Sequence, residues 1–204
     1  MTCVIVGASP ECAKIEIHEG DFVIAADGGY DHCVAAGITP DLVVGDLDSV
    51  GECKIPDGVE TLRYPREKDS SDMELAVQAA LSRGYTSFII YGALGGRLDH
   101  TLANIALLVS LSERGYSCRL EGENERVTAV SNGKLHIESE ANRMRSVSVF
   151  AVAERATGVS LTGFKYPLTD SILERGSRGL SNEFTGEMAT VEVKSGTVVV
   201  VVNR

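Results

Sequence analysis

The feature that most constrains the fold is a change in hydrophobic period near residue 121. Before it, short apolar runs alternate with segments of helical period, and after it only strand-like runs remain. The first pattern is typical of a parallel α/β sheet and the second of an antiparallel β-sandwich. We therefore predict an N-terminal α/β domain over residues 1–121, followed by a C-terminal β-sandwich domain over residues 122–204.

The first domain is predicted to hold parallel strands joined by helices. Several strand runs are apolar almost throughout, as expected where helices cover both faces of a sheet. One helix is predicted to begin at a Ser71–Glu74 capping box and to end at Gly84, and another to extend from His100 to Arg114. The predicted strands are residues 2–6, 22–26, 42–44, 59–64, 87–91 and 117–121. The predicted inward residues of the second helix are Leu102, Ile105, Ala106 and Val109.

The second domain is predicted to be all-β. Asn132-Gly133 and Ser195-Gly196 each separate two strand-like runs, which predicts a hairpin turn at both places. The predicted strands are residues 126–130, 134–137, 146–153, 188–193 and 198–203.

Composition excludes several classes of partner. The 204 residues include 19 basic and 29 acidic side chains, so the net charge is −10. Nucleic acids require basic surfaces, so we expect no nucleic-acid partner, although a cation and a few Arg or Lys side chains can still hold a small anion. No apolar run reaches the length of about 18 residues that a membrane span needs, and the N-terminus lacks the regions of a signal peptide. We therefore expect a cytoplasmic protein without a membrane partner.

Glycines and carboxylates gather directly after the predicted strands, where an open parallel sheet binds its ligands. Asp27-Gly28-Gly29 follows residues 22–26, and paired glycines allow close backbone approach to a phosphate, although a plain strand-to-helix turn has the same pattern. Asp46 and Asp48 follow residues 42–44. Two carboxylates in that position favour Mg2+ over the alternative of an acidic helix N-terminus.

Two further clusters precede the predicted helices. Lys68-Asp69-Ser70-Ser71-Asp72 adds carboxylates, and Lys68 and the nearby Arg66 add cations that could meet phosphate oxygens. The serine and last aspartate of this cluster are also explained as helix cap and first-turn acid. Gly92-Ala93-Leu94-Gly95-Gly96-Arg97-Leu98-Asp99-His100 is a glycine-rich turn before a helix, but it is neither a Walker A loop nor a dinucleotide fingerprint. Together the clusters predict a site for Mg2+ and a polyphosphate nucleotide, because phosphoryl transfer needs mainly positioning and charge neutralisation.

These clusters, in this order, resemble the motifs of the thiamine pyrophosphokinase family. The resemblance extends to Gly179-Leu180-Ser181-Asn182-Glu183 in the β half. It implies an enzyme that uses ATP and Mg2+ to transfer diphosphate to the hydroxyl of thiamine, giving thiamine diphosphate and AMP. It also implies a homodimer, with thiamine bound where the α/β domain of one subunit meets the β domain of the other.

The resemblance also implies residue roles. Asp46, Asp48 and Asp72 match acidic metal and catalytic positions, and Asp72 is expected near the thiamine hydroxyl as either a base or a Mg2+ ligand. Asp99 is expected to orient either Arg97 or a metal-bound water. The residues expected to bind the nucleotide are Asp27, Gly28, Gly29, Lys68, Asp69, Gly95, Gly96, Arg97 and Asp99. The residues expected to bind thiamine are Ser71, Asp72, Ser181 and Asn182.

Two questions stay open at this point. Some family members are expected to stack a tryptophan on thiamine, but this chain has no tryptophan, so Phe184, Tyr166 or an aliphatic side chain are the alternatives. The clusters also fit another Mg2+-dependent nucleotide phosphotransferase or phosphohydrolase, or a non-catalytic nucleotide or thiamine sensor. ATP consumption without thiamine favours the first alternative function, and binding without AMP release favours the second.

Overall fold

The computed structural model describes residues 1–46, 55–67, 69–139 and 146–204. The chain divides into two compact units, one formed by Met1–Leu107 and Tyr116–Glu123, the other by Leu108–Gly115 and Asn124–Arg204. Within the described residues, no helix combines the length and the apolar character needed to cross a membrane.

The first unit is built on a parallel sheet. Its strands lie in the spatial order β4-β3-β2-β1-β5-β6, and all neighbouring pairs are parallel. The chain thus begins in the middle of the sheet, builds outward to β4 and then resumes on the other side of β1. The strands are β1 (Cys3–Val6), β2 (Phe22–Ala26), β3 (Leu42–Gly45), β4 (Glu60–Arg63), β5 (Ser87–Tyr91) and β6 (Ser117–Glu121). The helices of the chain are α1 (Gly29–Ala35), α2 (Asp72–Ser82) and α3 (Leu98–Glu113).

Both faces of this sheet are buried, which explains the continuous apolar runs. Tyr30 and Cys33 of α1 pack with Val4, Val6 and Val23 in one apolar cluster. The alternate strand residues are buried as well, and α2 contacts β1, β2 and β3. The expected parallel α/β architecture is therefore confirmed.

At the carboxyl ends of β1 and β5, two glycines allow the backbones of the following loops to approach each other closely. Gly7 donates its N–H to the carbonyl of Tyr91 at 2.8 Å. Gly92 has φ +59°, and a Cβ on it would lie 2.2 Å from the carbonyl oxygen of Gly7. The loops that follow β1 and β5 therefore start in backbone contact. In a sheet of this topology, this position is the switch point at which ligands bind.

The second unit is a β-sandwich. It has two antiparallel sheets, in the orders β7-β13-β9 and β11-β10-β12-β8. Valines of β13, such as Val198 and Val200, share one apolar core with Val159 and Leu161 of β10 and Val191 of β12. The strands are β7 (Glu125–Ser131), β8 (Lys134–Glu138), β9 (Ser146–Ala151), β10 (Arg155–Thr162), β11 (Leu168–Glu174), β12 (Met188–Glu192) and β13 (Thr197–Asn203).

The two predicted hairpins are wrong. Asn132-Gly133 joins β7 to β8 and Ser195-Gly196 joins β12 to β13, but each pair of strands lies in two different sheets. The turns instead bond to each other: Asn132 donates its N–H to Gly196 at 3.1 Å and accepts the N–H of Gly196 at 3.0 Å. These turns therefore carry the chain from one layer of the sandwich to the other.

The strands β10 and β11 were not predicted from the sequence. In β10, pairing with β11 shifts register on both sides of Val159, and Gly158 has φ +65°. Such bulges destroy the strict alternation by which a strand is recognised. The strand β11 is mostly exposed, so it has little apolar pattern to detect.

The predicted helices exist, but α3 turns a different face inward. Leu108 and Leu111 are its buried residues, whereas Leu102 is 58% exposed in this chain. The helix is apolar around much of its circumference, so its period alone does not select one face. The predicted capping serine of α2 is confirmed, because the Ser71 hydroxyl oxygen accepts the N–H of Glu74 at 3.2 Å.

Replacing Gly92 with alanine tests the contact between the β1 and β5 loops. Gly84→Ala is the matched control, because Gly84 also has positive φ (+87°) but open space around its Cβ position. We expect Gly84→Ala to lower the free energy of unfolding by about 1 kcal/mol through backbone strain. Gly92→Ala should lower it by about 2 kcal/mol more because of steric overlap. Equal losses in chemical denaturation would contradict the close packing of these loops.

Candidate functional site

A cleft of about 710 Å³ opens at the carboxyl ends of β1, β2 and β5. Its walls come from the loops after these strands and from the first turns of α2 and α3. All of its lining residues belong to the first unit. Among the residues predicted from the sequence, those that line the cleft are Asp27, Asp69, Ser71, Asp72, Gly95, Arg97 and Asp99.

Four other described residues that were predicted for the first unit do not line this cleft: Gly28, Gly29, Asp46 and Gly96. Gly28 precedes α1 as its N-cap, and Gly29 is buried, with a Cβ position only 1.9 Å from the carbonyl oxygen of Val6. The missing side chain of Gly29 therefore allows close contact with the end of β1, whereas the sequence predicted close contact with a phosphate. Asp46 follows β3 and is half-buried, while Gly96 lies within the loop before α3. The predicted residues Asp48 and Lys68 lie outside the described part of the chain.

Asp27 occupies a strained position at the end of β2. Its φ is +48°, a left-handed conformation that costs energy in a residue other than glycine. Its N–H donates to the carbonyl of Val44 in β3 at 2.8 Å, and its carbonyl accepts the N–H of Tyr30 in α1 at 3.1 Å. Backbone bonds to two neighbouring elements thus fix this carboxylate at the rim of the cleft.

The first turn of α2 brings two carboxylates and a hydroxyl to the same cleft. Ser71 is the N-cap of the helix and Asp72 is its first residue, so both are fixed by helix geometry. Asp69 lies just before them, and all three residues line the cleft. The N-terminal end of a helix stabilises negative charge, so it holds a carboxylate or a phosphate favourably.

Arg97 and Asp99 form an ion pair at the start of α3. The Arg97 Nη2 lies 2.6 Å from one carboxylate oxygen of Asp99, and its Nε lies 3.1 Å from the other. Asp99 also accepts the N–H of His100 at 3.0 Å. These hydrogen bonds, led by the one from Arg97, lower the pKa of Asp99, and the same pair raises the pKa of Arg97. Asp99 was expected to orient either Arg97 or a metal-bound water, and in the structure it pairs with Arg97.

Sequence reasoning missed the loop after β1, which forms one wall of the cleft through Gly7, Ala8, Ser9 and Pro10. The position of this loop directly after a central parallel strand was the available signal. His100 and Asn104 also line the cleft without having been given a role in the site, and so does Arg66, which was considered as a cation for phosphate oxygens. The cleft thus contains two arginines and several backbone loops besides its carboxylates.

The described carboxylates do not form a closed metal centre by themselves. In residues 1–46, 55–67, 69–139 and 146–204, no three His, Cys, Asp or Glu side chains are grouped closely enough to hold a metal ion. The carboxylates of Asp69 and Asp72 nevertheless share one cleft. A hard cation there would therefore need further oxygen ligands, such as phosphates or water.

In the second unit, the predicted residue Asn182 is used to hold a neighbouring loop. Its amide donates to the carbonyl of Tyr166 at 2.8 Å and accepts the N–H groups of Tyr166 at 2.9 Å and Glu183 at 3.0 Å. Asn182 is 5% exposed, whereas the adjacent predicted residue Ser181 is exposed. Tyr166, which this network fixes, is 61% exposed.

Comparison with known proteins matches both units. A sequence profile described as the catalytic domain of thiamin pyrophosphokinase matches residues 14–120, and one for its vitamin B1 binding domain matches residues 133–198. A thiamine pyrophosphokinase of Bacillus subtilis (strain 168) is 32% identical over 183 residues, covering 87% of this chain and 85% of that protein.

Solved structures agree with the sequence comparison. The crystal structure of thiamine pyrophosphokinase from Bacillus subtilis has a TM-score of 0.90 at 28% identity and covers 100% of this chain and 99% of that one. The crystal structure of thiamin pyrophosphokinase from Geobacillus thermodenitrificans has a TM-score of 0.88 at 30% identity, with coverage of 100% and 98%.

The fold and the cleft define an enzyme of the phosphate-transferring kind, with an α/β catalytic domain and a β-sandwich binding domain. The chain belongs to the thiamine pyrophosphokinase family. The resemblance inferred from the sequence motifs is thereby confirmed.

Removing the guanidinium group tests the electrostatics of the Arg97–Asp99 pair. Because Arg97 lowers the pKa of Asp99, the pair should persist as the pH falls to the ordinary carboxyl range and separate only below it. Arg97→Ala should therefore raise the midpoint of the Asp99 carboxyl titration measured by NMR. Arg63→Ala, which removes an exposed arginine of β4, is the control and should leave that midpoint in place. An unchanged midpoint in Arg97→Ala would contradict the pairing.

Proposed function

We propose that this chain binds the polyphosphate of ATP in the cleft at the carboxyl ends of β1 and β5 and transfers diphosphate to the hydroxyl of thiamine. The observation that carries this proposal is the meeting of Asp69, Asp72 and Arg97 across one cleft at the switch point of the sheet. In the reaction, the thiamine hydroxyl oxygen bonds to the β-phosphorus of ATP. The bond from that phosphorus to the α–β bridging oxygen breaks, and AMP leaves with the electron pair.

The donor set of the site fits Mg2+. Its described side chains offer carboxylate oxygens, which are the protein ligands that Mg2+ prefers. By the family resemblance, Asp46, Asp48 and Asp72 would hold the ion, and of these Asp72 lines the cleft. When bound, Mg2+ neutralises charge on the phosphates and so favours attack by an oxygen nucleophile.

Asp72 is the residue we assign to the thiamine hydroxyl. It stands at the first position of α2, on the wall of the cleft. A carboxylate there can accept the hydroxyl proton as the new bond forms, or it can complete the metal site. Ser71 lies next to it in the same wall and is assigned to the same substrate.

The nucleotide is assigned to the remaining groups of the cleft. Arg97 supplies positive charge, and Asp99 orients its guanidinium through two hydrogen bonds. Asp27 is held at the rim by its strained backbone. The full set assigned to the nucleotide is Asp27, Gly28, Gly29, Lys68, Asp69, Gly95, Gly96, Arg97 and Asp99, of which Asp27, Asp69, Gly95, Arg97 and Asp99 line the cleft.

For thiamine, Tyr166 is a better stacking partner than Phe184. Tyr166 is 61% exposed, and the Lys165 ammonium lies 5.6 Å from its ring centroid. Phe184 is half-buried, with its ring centroid 5.5 Å from that of Phe164 in the sandwich core. An exposed ring with a fixed backbone can receive a flat heterocycle, whereas a core ring cannot do so without disturbing the packing. Ser181 and Asn182 are assigned to the same region.

We further propose a homodimer in the cytoplasm, with thiamine bound between the α/β domain of one subunit and the β domain of the other. We assign ATP binding and catalysis to residues 1–121 and thiamine binding to residues 122–204. Leu98 and Leu102 support self-association, because they are 72% and 58% exposed on one side of α3. Sedimentation of the purified protein measures the mass, and a monomer at all concentrations would exclude this assembly.

The function is tested by incubating the protein with ATP, Mg2+ and thiamine and separating the products by chromatography. Equal amounts of AMP and thiamine diphosphate should form, and neither should form without thiamine or Mg2+. ADP with thiamine monophosphate would move the attack to the γ-phosphorus. ATP consumption without thiamine would indicate a phosphohydrolase, and binding without turnover would indicate a sensor.

Substitution of Asp72 tests its assignment. Asp72→Asn should lower kcat by about 10²–10⁴ while the thermal unfolding temperature stays close to that of the wild type. Asp57→Asn is the control, since it removes the same charge from an exposed turn outside the cleft and should retain wild-type turnover. Wild-type turnover of Asp72→Asn would remove this residue from the mechanism.

Substitution of Tyr166 tests the stacking assignment. Tyr166→Ala should raise KM for thiamine about tenfold, with KM for ATP unchanged, whereas Tyr166→Phe should keep the wild-type value. Phe184→Leu should instead lower the unfolding temperature, because the ring packs against Phe164. A rise in KM for thiamine in Phe184→Leu without loss of stability would favour Phe184.

A further inference from the structure

All the carbonyl groups of residues 92–95, the loop between β5 and α3, are bonded to the protein. The Gly92 carbonyl accepts the N–H of Ser9 at 3.0 Å, and the Leu94 carbonyl accepts the hydroxyl of the same serine. The Ala93 carbonyl accepts the Asn104 amide at 2.8 Å, and the Gly95 carbonyl accepts the Thr101 hydroxyl at 3.2 Å. Three side chains from outside the loop therefore hold three of these consecutive carbonyls, and the backbone N–H of Ser9 holds the fourth.

The N–H groups of this loop have no such partners. Throughout the described parts of the chain, the N–H groups of residues 93–96 donate to no protein group. Gly95 and Gly96 have φ +78° and +61°, and Gly95 lines the cleft. Backbone N–H groups that the protein itself does not use can bind an anion.

We propose that Ser9, Thr101 and Asn104 are positioning residues for the polyphosphate of ATP, an inference that rests on the proposed function. By holding the carbonyls of residues 92–95, they keep negative dipole ends away from the phosphate oxygens. The N–H groups of the same peptides are then left for the phosphates. Without these three bonds the loop can turn a carbonyl toward the nucleotide, which would repel it.

The three residues are themselves fixed by regular structure. Thr101 and Asn104 are three positions apart in α3, so they lie on the same side of the helix and face the loop together. Ser9 is held from α1, where a ring nitrogen of His32 lies 2.9 Å from its carbonyl oxygen. The orientation of the loop is thus set by two helices and by the strand β1.

The test compares the binding of ATP with Mg2+ and of adenosine by calorimetry. Thr101→Val replaces the hydroxyl with a methyl group of the same size, and Thr101→Ser restores it. Asn104→Leu removes the amide donor without adding charge. We expect Asn104→Leu to weaken ATP binding about tenfold and Thr101→Val about threefold, with wild-type affinity in Thr101→Ser and unchanged adenosine affinity in all variants. Ser110→Ala, at an exposed position of α3, is the control and should bind as the wild type does.

The outcomes separate this inference from the proposed function. Wild-type ATP affinity in both Thr101→Val and Asn104→Leu would overturn the positioning role, even if the wild type makes thiamine diphosphate. Equal weakening of ATP and adenosine would also overturn it, because the effect would then not concern the phosphates. If the wild type binds ATP but does not turn over thiamine, the proposed function fails. The ATP affinities of the variants still decide whether Thr101 and Asn104 position the loop. In active variants, KM for ATP should rise while KM for thiamine stays constant.

Discussion

The backbone contact between Gly7 and Gly92 is the constraint on which the site depends. A sheet that starts at its central strand must send the loops after β1 and β5 in different directions, and the cleft opens where they part. With no side chain at either position, the loops can begin in contact and still diverge. One loop then supplies Ser9, which bonds to two carbonyls of the other. The contact therefore links the topology of the sheet to the orientation of individual peptide groups.

The parts of the fold that follow from local pattern were predictable. Continuous apolar runs gave the strands of the parallel sheet, and a serine cap marked the start of α2. The strands β10 and β11 were not predictable, because a bulge interrupts one and exposure removes the apolar pattern of the other. The inward face of α3 was mispredicted for a related reason: a helix with apolar residues on several sides does not specify which side packs.

Some residues of the candidate site were likewise predictable from the sequence, and others were not. Clusters such as Asp69 to Asp72 and Gly95 to Asp99 stand out because several carboxylates and glycines gather at the end of the sheet where ligands bind. Ser9, Thr101 and Asn104 do not stand out, because each is an ordinary polar residue whose role depends on a partner distant in sequence. The hydrogen bond from Ser9 to Leu94 spans 85 positions. Local patterns identify groups that face a ligand, whereas groups that orient other groups become visible only in the three-dimensional contacts.

The acidic composition explains why so much of the proposed phosphate site is backbone. A chain with a net charge of −10 repels a polyphosphate at long range, so attraction must come from short-range groups inside the cleft. Arg97 already pairs with Asp99, which offsets part of its positive charge. Peptide N–H groups supply partial positive charge at fixed positions without adding a titratable group. The orientation of these N–H groups is then as important as the side-chain charges. It depends on Ser9, Thr101 and Asn104, which hold the carbonyl groups of the same peptides.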